Sequence, residues 1–103
     1  MTAVAADFAA TADAIAAAAL AVPGVEGLHG GPGDAIATAL PGRRIPGLRI
    51  DADTCAVHVA VAWDADMRAT AEALRAALLP LTGARTVAVT VEDVGEPRDE
   101  DRT

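Results

Sequence analysis

A helix-forming stretch, a glycine stop and a β-forming stretch occur in that order twice in this chain, and few folds accommodate such a pair. In the first copy, apolar residues fall at Val4, Phe8, Ala12, Ile15, Ala19 and Val22. Steps of three and four place them on one stripe of a helix, and the alanines between them favour helix strongly. Pro23-Gly24 ends it, because proline cannot continue the hydrogen-bond ladder and glycine accepts a left-handed exit. Val25 to Leu28 then reads as a short strand. In the second copy Met67 stands for Phe8, Ala71 for Ala12, Leu74 for Ile15 and Leu78 for Ala19. Leu81, Gly83 and Val87 follow in the places of Val22, Gly24 and Leu28. Asp64 or Asp66 is positioned to cap this helix, Pro80 to distort its last turn and Thr82-Gly83 to stop it. Thr86 to Val94 is a β-branched strand with Val87, Val89 and Val91 on one face.

The intervening segment begins with His29-Gly30-Gly31-Pro32-Gly33, a loop by its turn residues. Asp34 can cap a short helical turn over Ala35 to Leu40, which Pro41-Gly42 ends. Arg43 and Arg44 follow in an exposed connector. Gly47 to Asp51 alternates, with Leu48 and Ile50 on one face. After a turn, Ala56 to Trp63 alternates again, with Val57, Val59, Val61 and Trp63 inward, so these two runs form a hairpin. The expected fold is α+β: two helices packed on one face of a small mixed β-sheet, in the order α-β-(short helix)-β-β-α-β. Residues 1–95 form a single domain and 96–103 a disordered charged tail. The expected core holds Phe8, Ile15, Ile50, Val57, Val59, Val61, Leu74, Leu78, Val87, Val89 and Val91.

Charge narrows the partners. The 103 residues carry a formal net charge of −7, and every basic residue is arginine. A phosphate backbone is repelled by that balance, and direct docking on anionic lipid is disfavoured. The apolar run from Ala14 to Val22 is too short to span a bilayer, and acidic residues precede it where a signal peptide needs basic ones. No nucleic-acid partner, no direct membrane insertion and a cytoplasmic location are expected. A single cysteine, Cys55, allows neither an internal disulfide nor a cysteine-based metal site.

Candidate chemistry is sparse. The loop at His29 lacks the Gly-Lys-Ser/Thr ending of a phosphate loop, and Gly31 and Gly33 make only an incomplete dinucleotide fingerprint. His29, His58 and Cys55 show none of the spacings that gather ligands round a metal. Cys55 has Asp53 and Thr54 beside it and no activating base. Serine is absent, and no threonine has a base as neighbour, so a hydrolytic triad is not expected. No catalytic residue, metal or cofactor is called for. The more informative feature is the sheet face opposite the valines, to which His58, Ala60, Ala62, Thr86, Ala88, Thr90 and Glu92 point, and whose mostly small side chains permit close approach of another protein surface. Arg43, Arg44 and Arg49 form a local basic cluster able to receive an acidic segment.

Taken together, IAAAALAVPGV from Ile15, GLHGG, LPGRRIPGLRID, VHVAVAWDADM and LTGARTVAVTVEDV resemble, in order and spacing, the alkaline-shock family of bacterial general envelope-stress proteins. The resemblance covers about residues 4–95. Trp63-Asp64 stands where the family commonly has an aromatic-Gly pair, and the lysines usual in the family are missing. The resemblance implies a non-enzymatic scaffold that self-assembles and reaches the inner face of the membrane through a membrane-anchoring partner. An alternative reading is a small-ligand or metal-cluster carrier domain of similar layout.

Overall fold

The computed structural model describes residues 2–96. Helix α1 spans Thr2–Leu20 and strand β1 Val25–Leu28. A 3₁₀ turn at Pro32–Asp34 leads to β2 (Ala37–Leu40) and β3 (Arg43–Pro46). Strands β4 (Leu48–Ile50) and β5 (Thr54–Val61), helix α2 (Met67–Leu78), a second 3₁₀ turn (Leu79–Leu81) and β6 (Thr86–Val94) complete the chain. The fold is α+β, with both helices on one face of a mixed sheet. The charged segment 97–103, read from its sequence as a tail, lies outside the described residues.

Strand β5 is the centre of the main sheet. On one side it pairs antiparallel with β1 through its C-terminal half and with β4 through its N-terminal half. On the other it pairs in parallel with β6 along its whole length. Its side chains alternate strictly: Cys55, Val57, Val59 and Val61 are fully buried under the helices, while those between them turn to the opposite face. The two helix–glycine–strand units flank it. α1 packs on β1 and α2 on β6. Because β1 and β6 run in opposite directions beside β5, the units are related by an approximate two-fold normal to the sheet. Two of the matched pairs share full burial, Ile15 with Leu74 and Ala19 with Leu78, whereas Val22 is buried and Leu81 exposed. Gly24 and Gly83 both take positive φ, 94° and 65°.

Local chemistry sets the helix ends. The Asp66 side chain accepts the Ala69 N–H at 2.9 Å and so caps α2. Pro80 has no N–H to continue the α ladder, so the chain tightens into the 3₁₀ turn. There the buried Thr82 hydroxyl donates to Leu79 O.

Five expectations are corrected. Residues 37–40 are strand, not helix: β2 and β3 form a hairpin joined by Pro41-Gly42, with Gly42 at φ 75°. Four residues are too few to nucleate a helix. Proline followed by a positive-φ glycine favours a type II turn, and the Thr38 hydroxyl finds Leu48 O at 2.5 Å. Asp34, expected as a cap, itself sits at φ 52°. Arg43 and Arg44 therefore lie on a strand, not a connector. Phe8, expected in the core, is 36% exposed. A helix of this length runs about 28 Å, far beyond the four residues of β1, so its first turns overhang the sheet. Trp63, expected inward, is 44% exposed. β5 stops at Val61 where β1 begins, and the Ala62 N–H turns to Gly24 O. Leu48 and Cys55, outside the expected core, are fully buried.

Gly47, between β3 and β4 in the chain, stands where the two partial strands β1 and β4 meet on one side of β5. Its φ is 79°, and a Cβ there would lie 2.6 Å from His29 N and 2.7 Å from His58 O, both backbone atoms. Gly47→Ala should therefore destabilise the protein by on the order of 3 kcal/mol, from left-handed strain plus displaced backbone; a denaturant midpoint close to wild type would show that this junction is soft. Leu74→Ala removes a fully buried side chain and should cost about 2–5 kcal/mol. An unchanged thermal melt would contradict the packing of α2.

Candidate functional site

The face of the sheet away from the helices is built by alternation. β5 contributes Ala56, His58 and Ala60, β6 contributes Thr86, Ala88 and Thr90, and β4 contributes Arg49 opposite Ala56. Thr86, Ala88 and Thr90 are exposed, while His58 and Ala60 are half-buried. What covers them in part is the glycine-rich segment. The His29 N–H donates to His58 O at 2.8 Å, which starts the loop on β5. Arg49 donates to Ala35 O and Arg44 to Asp34 O, each at 3.0 Å, and these hold its far end. Between them Gly31 passes against the Glu92 carboxylate: a Cβ at Gly31 would lie 3.2 Å from Glu92 Oε2. The Gly31 N–H donates to His29 Nδ1 at 3.0 Å.

Under this loop His58 Nδ1 lies 2.6 Å from Glu92 Oε2, with side-chain exposures of 16% and 22%. A carboxylate only accepts, so the Nδ1–H tautomer of the imidazole is the one that can donate to it. The parallel register brings the two together, since Thr90 lies beside His58 and a bulge follows between Val59 and Ala60. The pair ties β5 to β6 and fixes the ring's orientation. Alternation places Glu92 on the same face as His58, but not their contact: the two residues are 34 apart, and only the β5–β6 register makes them neighbours.

The other expected residues are dispersed. Ala62 lies beyond the end of β5 and lines a cleft of about 430 Å³ with Pro23, Gly24, Asp64 and Thr70 at the start of α2. The three arginines do not form one basic patch. Arg44 and Arg49 serve loop carbonyls, while Arg43 leaves them for α1, where it makes a two-pronged contact with Asp13 at 2.8 and 2.7 Å. That hydrogen-bonded guanidinium holds the Asp13 carboxyl below its usual range and raises Arg43 in turn. Cys55 faces the helices, opposite to His58, so it joins neither histidine, and burial pushes its thiol pKa up. Among the described residues no three His, Cys, Asp or Glu side chains gather to hold a metal.

No family model, curated protein or solved structure matches this chain.

The Asp13–Arg43 contact has a definite pH signature. A carboxyl whose folded pKa is depressed stabilises the fold above its unfolded pKa, and that contribution disappears as pH falls through the folded value. Arg43→Gln should lower stability at neutral pH and lose that effect in acid, where Asp13 is protonated in both proteins. Chemical denaturation at both pH values checks it; an equal deficit in acid would show that Arg43 acts by packing.

Proposed function

We propose that this chain is a non-catalytic interaction module that assembles with copies of itself, and that it serves envelope-stress homeostasis while held at the inner face of the membrane by an anchoring partner. The observation that carries the assembly reading is the edge of the main sheet. β6 is a nine-residue strand, and among the described residues only β5 pairs with it. A long unpaired edge presents rows of backbone donors and acceptors to another chain. Beside it lies a sheet face of Thr86, Ala88 and Thr90, whose small side chains allow close approach.

Two further features favour binding over catalysis. The hydrogen bonds around His58, Glu92, Arg44 and Arg49 are directed to one another and to the 29–35 loop, which is an arrangement that stabilises structure. The exposed apolar side chains Leu20, Trp63, Met67, Leu79 and Leu81 sit at helix ends and in the adjoining turns, and Phe8 lies within the N-terminal half of α1. The stress and anchoring parts of the proposal rest on the resemblance to the alkaline-shock family. No helix among the described residues is long and apolar enough to cross a membrane, and a net charge of −7 disfavours direct contact with anionic lipid. Anchoring by a partner suits both facts.

Sedimentation velocity over a wide concentration range tests the assembly. Species heavier than the monomer should grow with concentration, whereas a single monomer peak at every concentration would count decisively against it. Crosslinked pulldown from the native cell, with and without membranes, tests the anchor: the expected result is a membrane protein recovered only from the membrane-containing sample.

A further inference from the structure

The outer edge of β6 has a phase that selects one mode of self-pairing. The Thr86 N–H donates to Asp53 O at 2.9 Å, toward the β5 side. Backbone groups of successive strand residues point to alternate edges, so Ala88 and Thr90 also turn theirs to β5. Val87, Val89 and Val91 therefore direct both N–H and C=O to the outer edge. Past the bulge the phase changes. The Gly95 N–H reaches Val61 O at 2.7 Å, leaving the Val94 N–H outward, and Asp93 Oδ1 takes it at 3.0 Å. Among the described residues the edge is thus closed at its C-terminal end and open from Val87 to Val91. Proteins blunt such edges with lysine or proline; β6 contains no proline and the chain no lysine.

Resting on the self-assembly reading above, we infer that the occupant of this edge is β6 of a second copy, paired antiparallel in a register centred on Val89. In that register Val89 faces Val89 of the partner subunit, and Val87 faces Val91 of the partner subunit. All of these residues are outward-directed, so each pair exchanges both of its hydrogen bonds. Charge decides the direction. Antiparallel pairing brings the Arg85 end of one strand to the Glu92-Asp93 end of the other, whereas parallel pairing would set Glu92 and Asp93 abreast of their own counterparts, which is destabilising. The contact is isologous, as a two-fold dimer requires. The flanks of Val89 and Val91, half-buried in one copy, meet across the seam on the helix side. Thr86, Ala88 and Thr90 line it on the other side. The result is one continuous sheet through both copies.

Cysteine crosslinking tests the register. In Val89→Cys the two new residues would sit with Cα atoms about 5.5 Å apart, within disulfide reach. In Thr86→Cys they would be about 20 Å apart at a strand rise of about 3.4 Å per residue. Native Cys55 is buried and stays a thiol in both. Mild oxidation should convert most Val89→Cys protein to a covalent dimer and leave Thr86→Cys monomeric. Val89→Pro removes an outward N–H and no bond within the chain, so it should abolish assembly in sedimentation while circular dichroism and melting stay near wild type. If wild type assembles but Val89→Cys fails to crosslink, or Thr86→Cys crosslinks equally, the edge register is overturned and self-assembly stands. Assembly undiminished in a folded Val89→Pro protein also places the contact elsewhere. A wild type that is monomeric throughout removes both the inference and the reading beneath it.

Discussion

Strand β5 is the constraint from which the rest of this structure follows. Four of its side chains, Cys55, Val57, Val59 and Val61, have no solvent exposure at all, and it hydrogen-bonds along both edges. One of those edges is shared by two short strands laid end to end. The joint falls at His58, whose carbonyl accepts from His29 and whose N–H donates to Gly47 O at 2.7 Å. Only glycine fits at position 47, because the backbones of β1 and β5 close in on the place a Cβ would occupy. The glycine-rich loop leaves the sheet beside the same joint, which is why it comes to lie over His58.

The two helix–glycine–strand units use β5 differently. The first lays down a four-residue strand against half of it, and the second a nine-residue strand against all of it. That inequality shapes both ends of the molecule. On the short side there is room for β4 and for the β2–β3 hairpin, which sends Leu40 and Ile45 into the core and meets α1 through Asp13 and Arg43. On the long side no strand among the described residues pairs with the outer edge of β6, and the sheet ends there. An edge of that kind either acquires a partner or is a liability, and its phase and end charges suit a second copy of itself.

Polar groups in this chain are mostly spent on architecture. Thr38, Thr82 and Asp66 satisfy backbone groups, and Arg44 and Arg49 fasten a loop. His58 and Glu92 cross-link neighbouring strands. Such engagement ties these groups within the fold, while the outer backbone edge of β6 has no strand partner among the described residues.

Much of the fold was legible in the residues. Helical periodicity and the Gly24 and Gly83 stops located both helix–strand units, and period-two alternation located β4, β5 and β6, because both signals arise from contacts within a few positions along the chain. Ala37 to Leu40 was not legible as strand: its identity depends on a Pro-Gly turn and on the Leu48 carbonyl that Thr38 reaches. Phe8 and Trp63 fit the local pattern but lie beyond the ends of the sheet, and strand lengths are settled by pairing. Of the candidate surface, the small-residue face could be read from alternation. The covering of that face by the loop, the dispersal of Arg43 from Arg44 and Arg49, and the meeting of His58 with Glu92 could not. Sequence alone determined the two helices, the strands β1, β4, β5 and β6, and which side of each is apolar. Tertiary structure decided which strand lies at the edge and which polar groups meet, because register between distant segments depends on packing that no single segment encodes.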